Sequence, residues 1–350
     1  MNATEFWMLR CIELARLGAG QVAPNPMVGA VLVHNNQIIG EGWHQKFGHA
    51  HAEVNAINSV LKRKLIPEAT LYVNLEPCAH TGKTPPCTHL IISHNIKKVV
   101  VGMLDPNPLV AGNGIALLRA AGIEVELNVL NEQCLDFNKR FIHFYTHNKP
   151  YVILKWAQTR NGFISPDANK MSAEKFEEER HITGMLVQKL VHKWRTQEDA
   201  IMVATNTALT DNPALNNRAF EGRAPARIVL DQHLRLHGSL KLFDQSQKTF
   251  IVNAIKEEVD GNNTFLKLNF KEDWFKQLLD LLVKYNIQSI VVEGGATLLN
   301  HLILHNLWNE AIVFYSPKNI SNGIKAPIIF GKIIQQDNLD NIQMTQYRNL

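Results

Sequence analysis

His49-Ala50-His51-Ala52-Glu53-Val54-Asn55-Ala56 is answered downstream by Pro77-Cys78 and by Pro85-Pro86-Cys87. His51, Cys78 and Cys87 make a three-donor set for zinc, with Glu53 two residues beyond the histidine. A catalytic zinc takes three protein ligands and keeps a fourth position for water, and it brings the pKa of that water toward neutrality. Both halves of the set are expected at helix starts. His51 opens an apolar-periodic run (Val54, Ile57, Val60, Leu61), and Cys87 follows two prolines, which favour a first helical turn. Helix N-termini depress thiol pKa values, as thiolate ligation needs.

The spacing is that of a zinc hydrolytic deaminase for amino-substituted heterocycles. In that chemistry Glu53 carries a proton from the activated water to a ring nitrogen and to departing ammonia. The competing reading is a closed structural zinc. Its fourth ligand would have to be Cys11 or Cys134, each in a helical pattern far away along the chain. Cys78 and Cys87 are separated by eight residues, a longer interval than the C-x-x-C of most deaminases.

A chain of 350 residues suggests about two domains. With 45% hydrophobic and 19% charged residues it has apolar mass for two cores. A net charge of +4 is too weak to argue a nucleic-acid partner. The four cysteines, two claimed by the metal, point to a reducing compartment rather than a disulfide framework. No signal-peptide pattern or run of about 18 apolar residues is visible, so the expectation is a cytoplasmic protein without a membrane partner.

The first half alternates elements. A helix is expected over 4–17, capped by Thr4, then strands over 30–33 and 37–40 joined by an Asn35-Asn36 turn. The His51 helix, a strand over 70–75, the Cys87 helix, a strand over 98–102 and a helix over 114–121 follow. The strand over 70–75 delivers Glu76-Pro77-Cys78 at its C-terminal end, where sites in layered sheets collect. A helix over 131–146 and a hinge over 147–150 close the half, giving domains of 1–147 and 148–350.

Several motifs occur together here: Asn25-Pro26-x-Val28-Gly29, His51-Ala52-Glu53, Glu76-Pro77-Cys78-Ala79-His80-x-Gly82-Lys83-Thr84-Pro85-Pro86-Cys87, and Asp105-Pro106-Asn107-Pro108-x-Val110-Ala111-Gly112-x-Gly114. This set resembles the deaminase half of the bifunctional riboflavin-biosynthesis deaminase/reductase family. The resemblance implies a cytidine-deaminase-like three-layer α/β/α domain. It also implies removal of the 2-amino group from 2,5-diamino-6-(5-phosphoribosylamino)pyrimidin-4(3H)-one. Asn25 has the donor and acceptor that a pyrimidine edge needs, or is a turn residue before Pro26. His80 and Lys83 would grip the ribose and phosphate, or form a solvated basic loop. His44 and His49 are expected to be structural.

Beyond residue 150 the pattern is again α/β with a largely parallel sheet: strands over 151–157, 200–203, 228–230, 250–252, 289–292 and 312–315, and helices over 187–194, 274–283 and 296–304. Val292-Glu293-Gly294-Gly295-Ala296-Thr297-Leu298 joins a strand to a helix through glycines, which suits a phosphate, although a plain turn reads the same way. That run, Lys155-x-Ala157, Thr207, Asp211-Asn212-Pro213-x-Leu215 and Arg218 resemble the family's reductase half, so the likeness spans about 1–335.

It implies a dihydrofolate-reductase-like domain that uses NADPH to reduce the ribosyl group of 5-amino-6-(5-phosphoribosylamino)uracil to ribityl. Carried over by position, Gln158, His181, Thr207, Asp211, Gly295, Ala296, Thr297, Leu298, Leu299, Asn300 and His301 would bind cofactor. Lys155, Arg195, Leu215, Arg218 and Glu293 would bind substrate. Arg195 and Arg218 read equally as surface charges, and Asp211 as a turn former. Members of the family associate through this domain, so a homodimer is expected.

Two positions depart from the family pattern. Asn161-Gly162 stands where Asp-Gly is usual, and His181-Ile182-Thr183 where Trp-Ile-Thr is usual, after a longer, highly charged segment over 165–180. These departures leave open a second domain that serves in binding or assembly with little reductase activity. Two further alternatives are an RNA-editing deaminase and a purely structural zinc. The first would need a basic face with exposed aromatics, and the sequence has only scattered Lys and Arg.

Overall fold

The computed structural model describes residues 1–79, 85–107 and 110–350. The chain divides into two compact units, Met1–Lys149 and Pro150–Leu350.

The first unit runs α1 (Ala3–Arg16), β1 (Gly29–His34), β2 (Gln37–Trp43), α2 (Ala52–Asn58), β3 (Thr70–Val73), α3 (Cys87–Ser93), β4 (Lys98–Val101), α4 (Asn113–Ala120), β5 (Glu124–Glu126), α5 (Asn131–Phe137) and α6 (Lys139–His147). The sheet order is β2-β1-β3-β4-β5. β1 is antiparallel to β2 and β3, whereas β3, β4 and β5 are parallel.

The central strands are apolar almost throughout because both faces of the sheet are covered. Ala30, Leu32, Leu71, Val73, Val99 and Val101 pack with residues of α2, α3 and α4 such as Ala56, Ile91 and Leu118. Their neighbours Val31, Val33, Tyr72 and Val100 pack with Met8, Cys11 and Leu14 of α1 and Cys134 of α5. The result is a three-layer sandwich whose parallel strands aim their C-terminal ends at one edge.

Two local expectations are corrected and one holds. The α1 cap is Asn2, not Thr4: its side chain accepts from Glu5 N while the Glu5 carboxylate accepts from Asn2 N, a capping box. The Asn35-Asn36 turn is as expected, both residues having positive φ, 47° and 57°. The helix expected over 131–146 is broken into α5 and α6 at Asn138, whose amide is used elsewhere.

The second unit runs β6 (Tyr151–Thr159), β7 (Phe163–Pro166), α7 (Ala173–Arg180), α8 (Met185–Gln197), β8 (Ala200–Ala204), α9 (Thr205–Asp211), β9 (Ala226–Leu230), β10 (Thr249–Asn253), β11 (Glu258–Asp260), β12 (Asn263–Lys267), α10 (Trp274–Lys284), β13 (Ser289–Val292), α11 (Ala296–Leu304), β14 (Glu310–Ser316), β15 (Gly323–Lys325), β16 (Lys332–Leu339) and β17 (Ile342–Arg348). Its large sheet has the order β11-β12-β10-β9-β8-β13-β6-β14-β17-β16, with β7 and β15 forming a separate pair. The strands from β12 to β14 are mutually parallel and the edges are antiparallel. Core side chains such as Leu154, Met202, Phe250 and Val292 pack against Phe275, Leu278, Leu299 and Leu302 from α10 and α11. The C-terminal hairpin β16–β17 was not anticipated, because its strands are mostly polar on one face and carry no strong apolar run.

Candidate active sites

His51 is the N-cap of α2 and Cys87 the first residue of α3, so two helix N-termini converge on the donor set. Cys78 lies just beyond β3. His51 Nδ1 is 3.5 Å from Cys78 Sγ and 3.3 Å from Cys87 Sγ. The three ligand atoms all lie within 4.8 Å of one another. A tetrahedral zinc with ordinary Zn–N and Zn–S bonds needs N-to-S edges of about 3.6 Å, so the cage fits that ion. Among the described residues the group has three members. Cys11 and Cys134, the conceivable fourth ligands, are buried in the apolar cluster on the other face of the sheet.

The protonation states suit a cation. Hydrogen bonding from Cys87 and from His51 holds the Cys78 thiol down at about 4. The Cys87 thiol, beside that thiolate and buried, is pushed well up, and the bond to Cys78 raises His51. Two thiols that cannot both ionise unaided are the partners a dication would relieve. Glu53, in the first turn of α2, is 3% exposed. Burial, with Cys78 adding to it, pushes its carboxyl up to about 7.

A cavity of about 280 Å³ opens on this cluster, lined by His51, Glu53 and Cys78 together with Asn25, His44 and Asp105. Asn25 is held there by two steps. Its Nδ2 lies 3.1 Å from His44 Nε2, and His44 Nδ1 lies 3.1 Å from Ala50 O. The carbonyl requires Nδ1–H, which leaves Nε2 to accept from the amide. Burial lowers the His44 pKa, in keeping with that neutral tautomer. The following residue pair is clamped as well: Asn138 bonds both the N–H and the O of Met27, and Asn74 bonds Met27 O and Gly29 N. This is why the helix breaks at Asn138. His80 and Lys83 lie outside the described residues.

Glu76 precedes Pro77-Cys78 at the end of the strand that delivers the metal ligand. Its buried carboxylate accepts from four backbone N–H groups, those of Asp105, Gly112, Gly114 and Ile115, at 3.2, 3.0, 2.9 and 3.3 Å. It thereby ties the strand end that carries Cys78 to the start of α4 and to the loop that carries Asp105. Gly114 is required at this joint, since a Cβ there would meet Pro77 O at 2.1 Å.

In the second unit Lys155, Arg195 and Glu293 come together from β6, α8 and the end of β13. Arg195 Nε and Nη2 donate to the two Glu293 oxygens at 3.2 and 2.7 Å, Arg195 Nη1 donates to Asn216 O at 2.9 Å, and Lys155 Nζ is 3.5 Å from Glu293. Burial alone would raise Glu293, but Arg195 and Lys155 hold it down at about 2, while burial lowers Lys155. Arg218 is exposed and donates to the Asn216 side chain, and Leu215 is buried with φ 47°.

Gly295 is the N-cap of α11 with φ 66°, and a Cβ on it would sit 3.2 Å from Thr207 Oγ1. Thr207 and the open first turn at Ala296 and Thr297 therefore face one another. Leu298 and Leu299 turn their side chains into the core, Asn300 is exposed, and His301 stacks on Trp274, with 5.7 Å between ring centroids. Asp211 pairs with Arg180 at 3.7 Å. Gln158 accepts from Trp156 Nε1, and the His181 carbonyl accepts from Lys318.

The departure at Asn161 and the longer charged segment are accommodated by the fold, whereas nothing in the structure explains His181. The Asn161 amide donates to Ile320 O and accepts from Ile320 N, a double bond to the backbone that a carboxylate cannot make. The charged segment forms α7, tethered through Glu179 to Ser321.

The sandwich with its His-Cys-Cys cage, and the twisted parallel sheet that follows, define a zinc-dependent deaminase of cytidine-deaminase type joined to a dihydrofolate-reductase-like reductase. The family described as the cytidine and deoxycytidylate deaminase zinc-binding region matches residues 1–103, and that described as the RibD C-terminal domain matches 150–349. The riboflavin biosynthesis protein RibD of Bacillus amyloliquefaciens is 36% identical, over 98% of this chain and 92% of its own. Its counterpart in Synechocystis is 38% identical, over 100% and 92%. A crystal structure of a diaminohydroxyphosphoribosylaminopyrimidine deaminase/5-amino-6-(5-phosphoribosylamino)uracil reductase from Thermotoga maritima aligns over 99% of both chains, with 35% identity and a TM-score of 0.88. The chain belongs to the RibD family of riboflavin biosynthesis proteins.

Proposed function

We propose that the chain carries out two consecutive steps of riboflavin synthesis. The first is zinc-dependent hydrolytic deamination of 2,5-diamino-6-(5-phosphoribosylamino)pyrimidin-4(3H)-one. The second is NADPH-dependent reduction of the ribosyl group of 5-amino-6-(5-phosphoribosylamino)uracil to ribityl. The observation that carries the reading is the His51, Cys78 and Cys87 cage opening, with buried Glu53, on a cavity lined by polar and apolar side chains. The activities are assigned to either side of the hinge at 147–150.

Bound zinc supplies the Lewis acidity that makes a water nucleophilic near neutral pH. Glu53 would take one proton from that water and pass it to the ring nitrogen beside the attacked carbon, then take the second proton from the added hydroxyl and pass it to the amino group, whose C–N bond breaks to release ammonia. Asn25, oriented by His44, offers its amide to the pyrimidine edge. His80 and Lys83 are assigned to the ribose phosphate.

In the second unit NADPH supplies a hydride to C1 of the opened ribose. The α11 N-terminus at Gly295, Ala296 and Thr297, with Thr207 and Asp211, is assigned to the cofactor phosphates and ribose, and the turn's unbonded N–H groups favour such an anion. Asn300, His301, Gln158 and His181 complete the assigned cofactor surface, and Leu298 and Leu299, whose side chains are in the core, are assigned to it through their backbone. Lys155, Arg195, Leu215, Arg218 and Glu293 are assigned to the phosphoribosyl substrate, with Lys155 and the arginines providing the positive charge.

We also infer a homodimer formed through the second unit. Ile328, Phe330 and Ile333 are 73, 80 and 50% exposed beside the edge strand β16, an apolar strip that pairing would cover. The assigned compartment is the cytoplasm, supported by free cysteines and by use of NADPH. No helix among the described residues is long and apolar enough to cross a membrane.

Mass spectrometry of the product formed from the diaminopyrimidinone, with and without NADPH, tests both steps. The deaminated ribosyl compound is expected without NADPH and the ribityl compound with it. Unchanged substrate in both would refute the reading.

A further inference from the structure

We propose that Tyr145 is a specificity-determining residue of the deaminase site, its hydroxyl and the Asp105 carboxylate together receiving a hydrogen-bonding group of the substrate. This rests on the deaminase reading above.

Tyr145 lies on α6, the last helix of the first unit, yet it lines the same cavity as Glu53, Cys78 and Asp105. Its ring is fixed from two sides. Phe141 packs at 4.8 Å between centroids, tilted by 57°, and Phe144 at 5.5 Å, edge-on. Phe141 is 6% exposed and roots the helix in the unit. α6 starts at the break at Asn138, and Phe141 and Tyr145 from it line the cavity.

The aromatic body is therefore accounted for by packing, but the hydroxyl is not. Among the described residues it makes no hydrogen bond, although a half-buried tyrosine normally pairs its O–H. Burial and then the nearby Asp105 carboxylate raise the phenol pKa, which keeps it protonated and places the two groups within electrostatic reach. Asp105 Oδ1 already accepts from Asn107 N. A carboxylate accepts only, whereas a phenol donates and accepts. A ribose hydroxyl between them would donate to Asp105 and accept from Tyr145, and an exocyclic ring amine would donate to both. The shared chemistry is a polar group carrying at least one hydrogen, seated where Tyr145 and Asp105 line the cavity.

Tyr145→Phe keeps the stacked ring and removes only the hydroxyl. A purely structural Tyr145 loses nothing by that change, because the hydroxyl has no hydrogen-bond partner among the described residues. The assay is steady-state deamination by the zinc-loaded full-length chain, with zinc content and NADPH oxidation as controls on folding. KM for the phosphoribosylated diaminopyrimidinone is expected to rise roughly five- to twelve-fold, as loss of one hydrogen bond predicts, with kcat within about two-fold. The same comparison with 2,5,6-triaminopyrimidin-4-one, which lacks the pentose, identifies the group. A rise that disappears assigns Tyr145 to the ribose, and one that persists assigns it to the ring amine. A KM for Tyr145→Phe within about two-fold of wild type on the full substrate would overturn the assignment. Failure of zinc-loaded wild type to deaminate at all would overturn the functional reading and this assignment with it.

Discussion

Replacing Glu76 with Gln would leave the shape of the side chain almost unchanged and remove its second acceptor oxygen. Oε1 holds Gly114 N and Ile115 N, and Oε2 holds Asp105 N and Gly112 N. An amide retains one of these pairs and turns an NH2 group toward the other, donor against donor, in a place that is 3% exposed. Two buried N–H groups without partners cost about 1–3 kcal/mol each, so the first unit should lose roughly 4 kcal/mol. The negative charge at the start of α4 goes too, which adds a few tenths of a kcal/mol or more. The effect should reach the site, because the freed loop carries Asp105. Denaturant unfolding of the full-length protein, resolved into the transitions of its two units, measures the loss, and steady-state deamination should show a raised KM. A first-unit transition within about 1 kcal/mol of wild type would refute the claim that this carboxylate braces the cavity wall.

Three further outcomes concern the second unit. Arg195→Lys keeps the charge but loses the two-pronged contact with Glu293 and the bond to Asn216 O, so KM for the reducible substrate should rise about ten-fold or more while deamination is unchanged. Gly295→Ala forces a side chain into φ 66° and toward Thr207, and titration of cofactor fluorescence should show NADPH binding weakened by about ten-fold or more. His192 is 7% exposed, and burial, with Arg195 and Arg218, lowers its pKa from 6.5 to about 4. The unfolded chain therefore takes up a proton below 6.5 that the folded unit refuses until about 4, so this contribution is full above 6.5 and is lost as pH falls toward 4. The drop in second-unit stability between about pH 7.5 and about pH 5 should shrink in His192→Phe, and an unchanged drop would count against it.

Much of this was legible in the sequence because the chemistry and the fold use the same residues. His51 and Cys87 mark helix starts and also donate to the metal cage, so one pattern located both. The apolar runs around Val31, Tyr72 and Val100 reported a sheet covered on both faces. What escaped were relations between distant residues. Nothing local shows that Asn138 breaks a helix to hold Met27, 111 positions away. Nothing local shows that Glu76 collects N–H groups from a loop nearly 40 residues on. Glu76 and Gly114 stood in the quoted motifs, and their coupling was the missing information. Tyr145 carried no sequence signal, since an aromatic three or four residues from others on a helix reads as core. Asn161, a departure from the family's usual Asp, supplies a donor for Ile320 O that a carboxylate lacks.

The central claim is that a zinc held by His51, Cys78 and Cys87 works with Glu53 as the proton carrier. Its most direct test is Glu53→Gln, measuring zinc per chain and the deamination rate on the same preparation. The account predicts one zinc per chain, unchanged, with kcat reduced by at least about a hundred-fold. Deamination within about ten-fold of wild type, or a wild-type protein that deaminates without bound zinc, would contradict it.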